Sequence, residues 1–309
     1  METIKINTIK KESTFAEDVQ LVKRILSTPS RKPSNPRPLN PAQLTKIAAQ
    51  IRGKIVEMSF EARTQHLGSS LSCVDILVAA YWGALKIDPK KPHDPNRDRF
   101  ILSKGHAATA LYAALAFKGF FPMEELSTYS KGGGRLAAHP LPNCVPGVEA
   151  ATGSLGHGLS LGVGMALSAR IQKSNFRVFV VVTDGECNEG SVWEAAMFAP
   201  AQKLENLITI VDFNRWQATG RSTDVMALQP FKDKWASFGW STYEIDGHDF
   251  NALLQVMKNV PDGSGKPIAV IANTVKGKGV SFMEDDNNWH YCVPNADQLK
   301  QAKQELGLL

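Results

Sequence analysis

A chain of 309 residues, 43 % hydrophobic and 21 % charged, carries enough apolar material to bury a sizeable core, which excludes disorder or collagen-like repeats as readings of the whole chain. The net charge is +5, but residues 1–40 hold eight Lys and Arg against four Asp and Glu. The remainder is close to neutral and lacks the basic stripe with interleaved aromatics that a nucleic-acid-binding domain requires. No apolar run approaches the eighteen residues of a membrane span, and Met1-Glu2-Thr3-Ile4-Lys5 lacks the apolar block of a secretory signal. The expected location is the cytoplasm. Cys73, Cys144, Cys187 and Cys292 stand far apart with no C-x-x-C pair, so they read as buried thiols rather than as disulfides or a zinc site.

Residues 1–40 read as a basic extension ending in a linker, because five prolines fall in the thirteen residues from Pro29 to Pro41 and remove amide donors while favouring extended chain. Within that extension Glu17 to Leu26 has the pattern of a short helix, either docked on a partner or an unordered leader. The folded domain, residues 41–309, is expected to begin with Asn40 as N-cap, Pro41 in the first turn and Gln43 closing a capping box. Leu44, Ile47, Ala48, Ile51, Ile55 and Met58 then recur at helical spacing. A second helix is expected to start at Ser72, with Asp75 three residues on, and a third to follow Gly105. Four strands are expected at Val178–Val182, Leu207–Val211, Ser241–Ile245 and Ile268–Ala272; three are continuous apolar runs, as in strands buried on both faces of a parallel sheet. Helical stretches near 192–201, 231–238 and 251–258 alternate with them, which argues for a doubly wound α/β domain with a mostly parallel sheet.

In such a sheet ligands bind beyond the C-terminal strand ends. Asp184-Gly185-Glu186 follows one strand and Asn214-Arg215-Trp216 the next, thirty residues from Asp184 to Asn214, about the length of one β-α-β unit. A carboxylate, an amide oxygen and a main-chain carbonyl are hard oxygen ligands suited to Mg²⁺ or Ca²⁺; equally, Asp184 caps the next helix and Asn214 makes a turn. A glycine-rich loop, Thr152-Gly153-Ser154-Leu155-Gly156-His157-Gly158, leads into a helix, where small residues admit a ligand to the backbone and free amides at the helix start favour phosphate. The spacing is neither the dinucleotide fingerprint nor a Walker loop.

Asp184-Gly185 with Asn214 resembles the thiamine diphosphate motif that begins Gly-Asp-Gly and ends in Asn, with Thr183 in place of the first glycine. Seven further segments, in order, resemble transketolases: Gln65-His66-Leu67-Gly68, the run from Arg97 through Ser103-Lys104-Gly105-His106 to Ala107, Ala138-His139-Pro140, Pro146-Gly147-Val148-Glu149, the loop from Thr152 to Gly158, Asp246-Gly247-His248-Asp249, and Trp289-His290. They match the diphosphate-binding half of that family. The resemblance therefore implies the thiamine diphosphate-binding fold, that cofactor with Mg²⁺ or Ca²⁺, and transfer of a two-carbon ketol unit from a ketose or its phosphate to an aldose. It also implies a separate pyrimidine-domain subunit, in a dimer of heterodimers, supplying the glutamate that activates the cofactor. A specialised sugar or natural-product pathway, and cofactor-sharing enzymes acting on 2-oxoacids, are the alternatives.

By the same resemblance His66, His106, His139 and His290 are the catalytic histidines, with His66, His106 and His290 also at the cofactor and His139 at the sugar. Gly153, Leu155, Asp184, Gly185, Glu186 and Asn214 join them at the cofactor, and Asp184, Asn214 and Trp216 at the metal. Imidazole suits this work because a neutral ring both donates and accepts. Glu189 and Glu194 match positions where carboxylates approach the partner subunit's catalytic glutamate, or else form a solvated helix start. His248 reads as a turn before a helix, His93 as solvated, and His157 has no assigned role.

Overall fold

The computed structural model describes residues 39–309; the Glu17–Leu26 segment and the linker up to residue 38 lie outside the described residues. Five strands, β1 (Arg99–Leu102), β2 (Val178–Thr183), β3 (Leu207–Phe213), β4 (Ser241–Asp246) and β5 (Ile268–Asn273), form a sheet in the order β1-β2-β3-β5-β4, with every pair parallel. All residues of β2 and β3 are buried, as their Val, Ile and Phe runs require in a sheet covered on both faces. β4 is only half-buried, and its polar Ser241, Thr242, Glu244 and Asp246 suit an edge. β1 is not among the expected strands: it is four residues long and sits inside a charged segment, too short for an alternation to register.

The helices divide between the faces. On one side α1 (Pro41–Ala62), α2 (Leu67–Ser72), α3 (Val74–Ala79, continued by a π-turn to Ala84) and α4 (Ala108–Lys118) pack with α9 (Phe250–Lys258) against Phe100, Phe179, Val181, Ile208, Ile210 and Val270. On the other, α5 (His157–Ile171), α6 (Gly190–Ala201) and α8 (Phe231–Ser237) cover Val178, Val180, Val182, Leu207 and Ile271; the short α7 (Ser222–Val225) precedes α8. Alternate strand residues thus feed the two cores, the period-two geometry of a strand. Because β5 inserts between β3 and β4, the chain reverses direction across the sheet there, and right-handed crossovers then send α9 to the face opposite α6 and α8. That reversal opens a crevice at the C-terminal strand ends.

At α1 the expected capping box is present: the Gln43 amide N–H donates to Asn40 Oδ1 at 2.9 Å and the Asn40 N–H to Gln43 Oε1 at 3.0 Å. The expected helix start at Ser72 is corrected. Ser72 ends α2, its hydroxyl is 2.6 Å from Asp212 Oδ2, and Asp75 pairs with Arg52; a buried hydroxyl and carboxylate with long-range partners are not available for capping. α10 (Ala296–Glu305) is also unanticipated, because only Ala302 of it is buried and apolar periodicity is therefore faint. Cys73 and Cys187 are buried thiols as expected, Cys144 is half-buried and Cys292 is exposed.

Candidate active site

Four of the chain's histidines converge above the strand ends. The His66 ring centroid lies 5.3 Å from that of His106, 6.5 Å from that of His139 and 4.9 Å from that of His290, and His106 and His290 are 5.9 Å apart. They arrive from four places: the turn between α1 and α2, the exit of β1, the loop before α5, and the short helix after β5. His66 is held in the left-handed region at φ 72°, and its N–H donates to the His290 carbonyl at 3.0 Å. His139 is exposed and lies against Gly153, where a Cβ would come within 2.7 Å of His139 Cδ2. Only glycine also tolerates the φ of 144° found there.

Burial is the main reason that the His66, His106 and His290 rings titrate below the ordinary imidazole range, His290 at about 4; Lys104 and Lys276 add repulsion. At neutral pH these three rings are neutral, so each offers one donor and one acceptor. Lys276 Nζ lies 3.4 Å from His290 Nδ1. An ammonium donating there leaves the His290 proton on Nε2.

Asp184 follows β2 and is fully buried. Its carboxylate does not cap the following turn: Oδ2 accepts from the Arg215 N–H at 3.0 Å and from the Ser222 hydroxyl at 2.7 Å, and Oδ1 from the Thr183 hydroxyl at 2.9 Å. No Lys, Arg or His pairs with it among the described residues, and burial raises its pKa to about 6. Asn214 does make the turn, its Oδ1 accepting from the Trp216 N–H at 3.0 Å. The two readings of Asn214 are therefore compatible. Asp184 and the Asn214–Trp216 turn are neighbours through the Arg215 N–H, so a buried carboxylate with no basic partner among the described residues adjoins a turn that carries an amide oxygen and main-chain carbonyls. That donor set fits a divalent cation with hard oxygen ligands.

Two of the amides expected to be free at the start of α5 are not. The Gly156 N–H donates to Glu186 Oε1 at 2.8 Å and the Gly158 N–H to Ser103 Oγ at 3.1 Å, so protein side chains already occupy them. Glu186 is buried behind the glycine loop, its carboxylate also taking the Ser103 hydroxyl and the Thr183 N–H. It supports Gly156 from behind rather than offering a free carboxylate to a ligand. Gly153 lies against His139 and Gly185 against Gln217, and Leu155 is half-buried. Glu189 and Glu194 are exposed at the start of α6, near the exposed Met197 and Phe198. His93 and His157 are exposed, with His157 Nδ1 3.1 Å from the Leu155 carbonyl.

Three charged residues in the floor of the crevice were not singled out by sequence reasoning. Lys104 and Asp212 form a fully buried ion pair, which Ser72 and Thr274 hydroxyls join and a 2.6 Å bond from Lys104 Nζ to the Ser69 carbonyl completes. Lys276 follows β5, with Nζ 2.7 Å from Asn287 Oδ1, and burial lowers its pKa to about 8. The available signals were a charge ending an otherwise apolar strand at Asp212 and lysines directly following strand ends.

Residues 44–309 match the family described as transketolase, thiamine diphosphate binding domain. A subunit of the apulose-4-phosphate transketolase of Phocaeicola vulgatus is 42 % identical over 255 residues, 82 % of this chain and 90 % of that protein. A 6-deoxy-6-sulfo-D-fructose transketolase subunit of Clostridium sp. (strain MSTE9) is 42 % identical over 241 residues, covering 78 % and 88 % respectively. The solved transketolase of Campylobacter jejuni superposes with a TM-score of 0.79 at 27 % identity; the match covers 87 % of this chain but only 43 % of that one. The chain thus spans less than half the length of that solved transketolase, and nearly all of the two shorter relatives. With a parallel sheet, a glycine loop and Asp184 and Asn214 at adjacent strand ends, the chain belongs to the transketolase family, as its thiamine diphosphate-binding domain.

Proposed function

We propose that this chain is the cofactor-binding subunit of a two-subunit transketolase, transferring a two-carbon ketol unit from a ketose phosphate to an aldose acceptor. The observation that carries this reading is the convergence of four histidines beside Asp184 and Asn214. Neutral imidazoles in that number suit a polyhydroxylated substrate, whose hydroxyls need both donors and acceptors. Bound thiamine diphosphate supplies the electron sink for carbon–carbon cleavage.

The chain's own residues then have separable tasks. Asp184, Asn214 and the Trp216 carbonyl hold Mg²⁺, or Ca²⁺, which carries the diphosphate. Backbone at Gly153, Leu155 and Gly185, with the Lys276 ammonium, receives the diphosphate oxygens. His66, His106 and His290 line the reacting end, where His290 Nε2–H donates to a substrate or phosphate oxygen. His139, exposed at the rim, contacts the sugar. Glu189 and Glu194, with the exposed apolar side chains Met197 and Phe198, form the surface for a pyrimidine-domain subunit in an α2β2 assembly. Relatives named as transketolase subunits, matched along almost their whole length, support the two-chain arrangement.

The test is ketol transfer by the purified chain, first by itself and then mixed with a pyrimidine-domain subunit. The single chain should be inactive and the mixture active; robust transfer by the single chain, or decarboxylation of 2-oxoacids by the mixture in place of ketol transfer, would overturn the reading. Within the active complex His139→Ala should lower kcat by roughly 100-fold, the size of loss that follows misplacement of a bound substrate, while thiamine diphosphate affinity measured by calorimetry stays near that of the unaltered protein. A parallel loss of cofactor would assign His139 to the diphosphate instead.

A further inference from the structure

His248 stands outside the four-histidine cluster, yet both of its ring nitrogens are committed. The Val275 N–H donates to Nε2 at 2.9 Å, so Nε2 carries no hydrogen, and Nδ1 donates to Asp75 Oδ2 at 2.7 Å. Asp75 is in turn gripped by Arg52, Nη1 to Oδ1 at 3.1 Å and Nη2 to Oδ2 at 2.7 Å, and Arg52 and Asp75 are both buried. A chain of hydrogen bonds therefore runs from α1 through α3 and the β4–α9 turn to the first residues after β5. A turn before a helix, the role expected of His248, is satisfied by its backbone alone, through the His248 N–H to Asp246 Oδ1 at 2.8 Å. The ring's two bonds are additional to it.

What the chain of bonds ends on is the Thr274–Val275 peptide, one residue before the bond that joins Val275 to Lys276. That lysine is seated tightly: a Cβ at Gly68 would lie 2.9 Å from Lys276 Cγ. Its backbone is tethered on both sides, by the Asp285 N–H to the Lys276 carbonyl at 2.8 Å and the Gly277 N–H to the Gly68 carbonyl at 3.0 Å. Of the five hydrogen bonds to the backbone of residues 275–277, only the one at the Val275 N–H is made by a side chain. A carboxylate that fixes an imidazole, which then fixes a third group, is the arrangement that orients histidines around metals. Here the oriented group is a peptide.

We propose that His248 is a positioning residue: held by Arg52 and Asp75, it fixes the Val275 peptide and thereby sets the Lys276 ammonium against His290 at the diphosphate end of the crevice. This rests on the reading of the crevice as the thiamine diphosphate site. Displacement of a binding group by an ångström is costly because the geometry, not the group's presence, supplies the interaction.

Two replacements separate the ring nitrogens. His248→Asn keeps a donor near Nδ1 for Asp75 but has no acceptor at the Nε2 position, whereas His248→Gln brings a carbonyl oxygen towards that position. In the complex with the pyrimidine-domain subunit, calorimetric titration with thiamine diphosphate and Mg²⁺ should give an affinity roughly 10-fold or more weaker for His248→Asn and within about threefold of the unaltered protein for His248→Gln. In a Lys276→Ala background, His248→Asn should add less than about twofold, since its effect passes through the lysine. Hydrogen exchange at the Val275 amide should accelerate in His248→Asn and not in His248→Gln. Equal losses in the two variants, undiminished affinity in His248→Asn, or additive losses with Lys276→Ala would overturn the proposal. Should His248→Asn fail to fold, His248→Gln decides: retained affinity supports the proposal and a tenfold loss in the folded variant refutes it. An unaltered complex that does not bind thiamine diphosphate refutes the functional reading instead, and the Val275 exchange rates still report on His248.

Discussion

Replacing Asp184 by alanine is expected to weaken thiamine diphosphate binding in the presence of Mg²⁺ by more than the roughly 10 to 100-fold that follows loss of a group behind a metal's ligands. Asp184 is the one carboxylate in the candidate donor set, and an amide and a carbonyl oxygen alone hold a divalent cation poorly. Calorimetric titration of the complex checks this, and near-normal affinity would remove Asp184 from the metal site. The same carboxylate imposes a pH dependence on the metal-free chain. Its folded pKa, about 6, lies above the ordinary carboxylate value of 3.8, so the protonated form is favoured by folding. The associated stability is present below pH 4 and is lost as pH rises through 6, a difference of about 3 kcal/mol. Urea unfolding in the presence of a chelator should therefore register a decline between those pH values that is absent in Asp184→Asn. Stabilisation by Mg²⁺ with cofactor should grow over the same interval, because the cation takes up the charge that burial penalises.

Breaking the Lys104–Asp212 pair should be the most damaging single change to the fold. Both side chains have no exposure to solvent, and removing one partner leaves a buried charge uncompensated, at a cost of about 3–5 kcal/mol. Lys104→Met and Asp212→Asn should each show this in urea unfolding. The double replacement should cost less than the two together, since the penalty lies in the stranded charge. Losses below about 1 kcal/mol, the size typical of exposed pairs, would mean that water reaches the pair. Lys104 holds Asp212 below the ordinary carboxylate range and Asp212 holds Lys104 above the ordinary amine range. Asp212 thus contributes stability above about pH 4 that is lost as pH falls further, and Lys104 contributes stability below about pH 10.5 that is lost at more alkaline pH. Between those limits the pair is fully formed.

The sequence by itself determined the elements whose signals are local. Apolar runs at Val178–Val182, Leu207–Val211 and Ile268–Ala272 specify strands buried on both faces, and Asn40, Pro41 and Gln43 announce a helix start, because these depend on neighbouring residues and on repeat period. Asp184 and Asn214 stood out as chemistry-bearing residues just after apolar strands, whereas the four histidines were marked only by the resemblance of their segments to transketolases. Only the tertiary structure decided what each polar group pairs with. Ser72 and Asp75 have the spacing of a helix cap, yet their partners, Asp212 for one and Arg52 and His248 for the other, come from distant parts of the chain, and a buried polar group takes the partner that burial provides. Glu186 and Ser103 likewise occupy the Gly156 and Gly158 amides that looked free for phosphate. The Lys104–Asp212 floor and the seat of Lys276 exist only because parallel strands bring their C-terminal ends to one edge, and no local pattern encodes that juxtaposition.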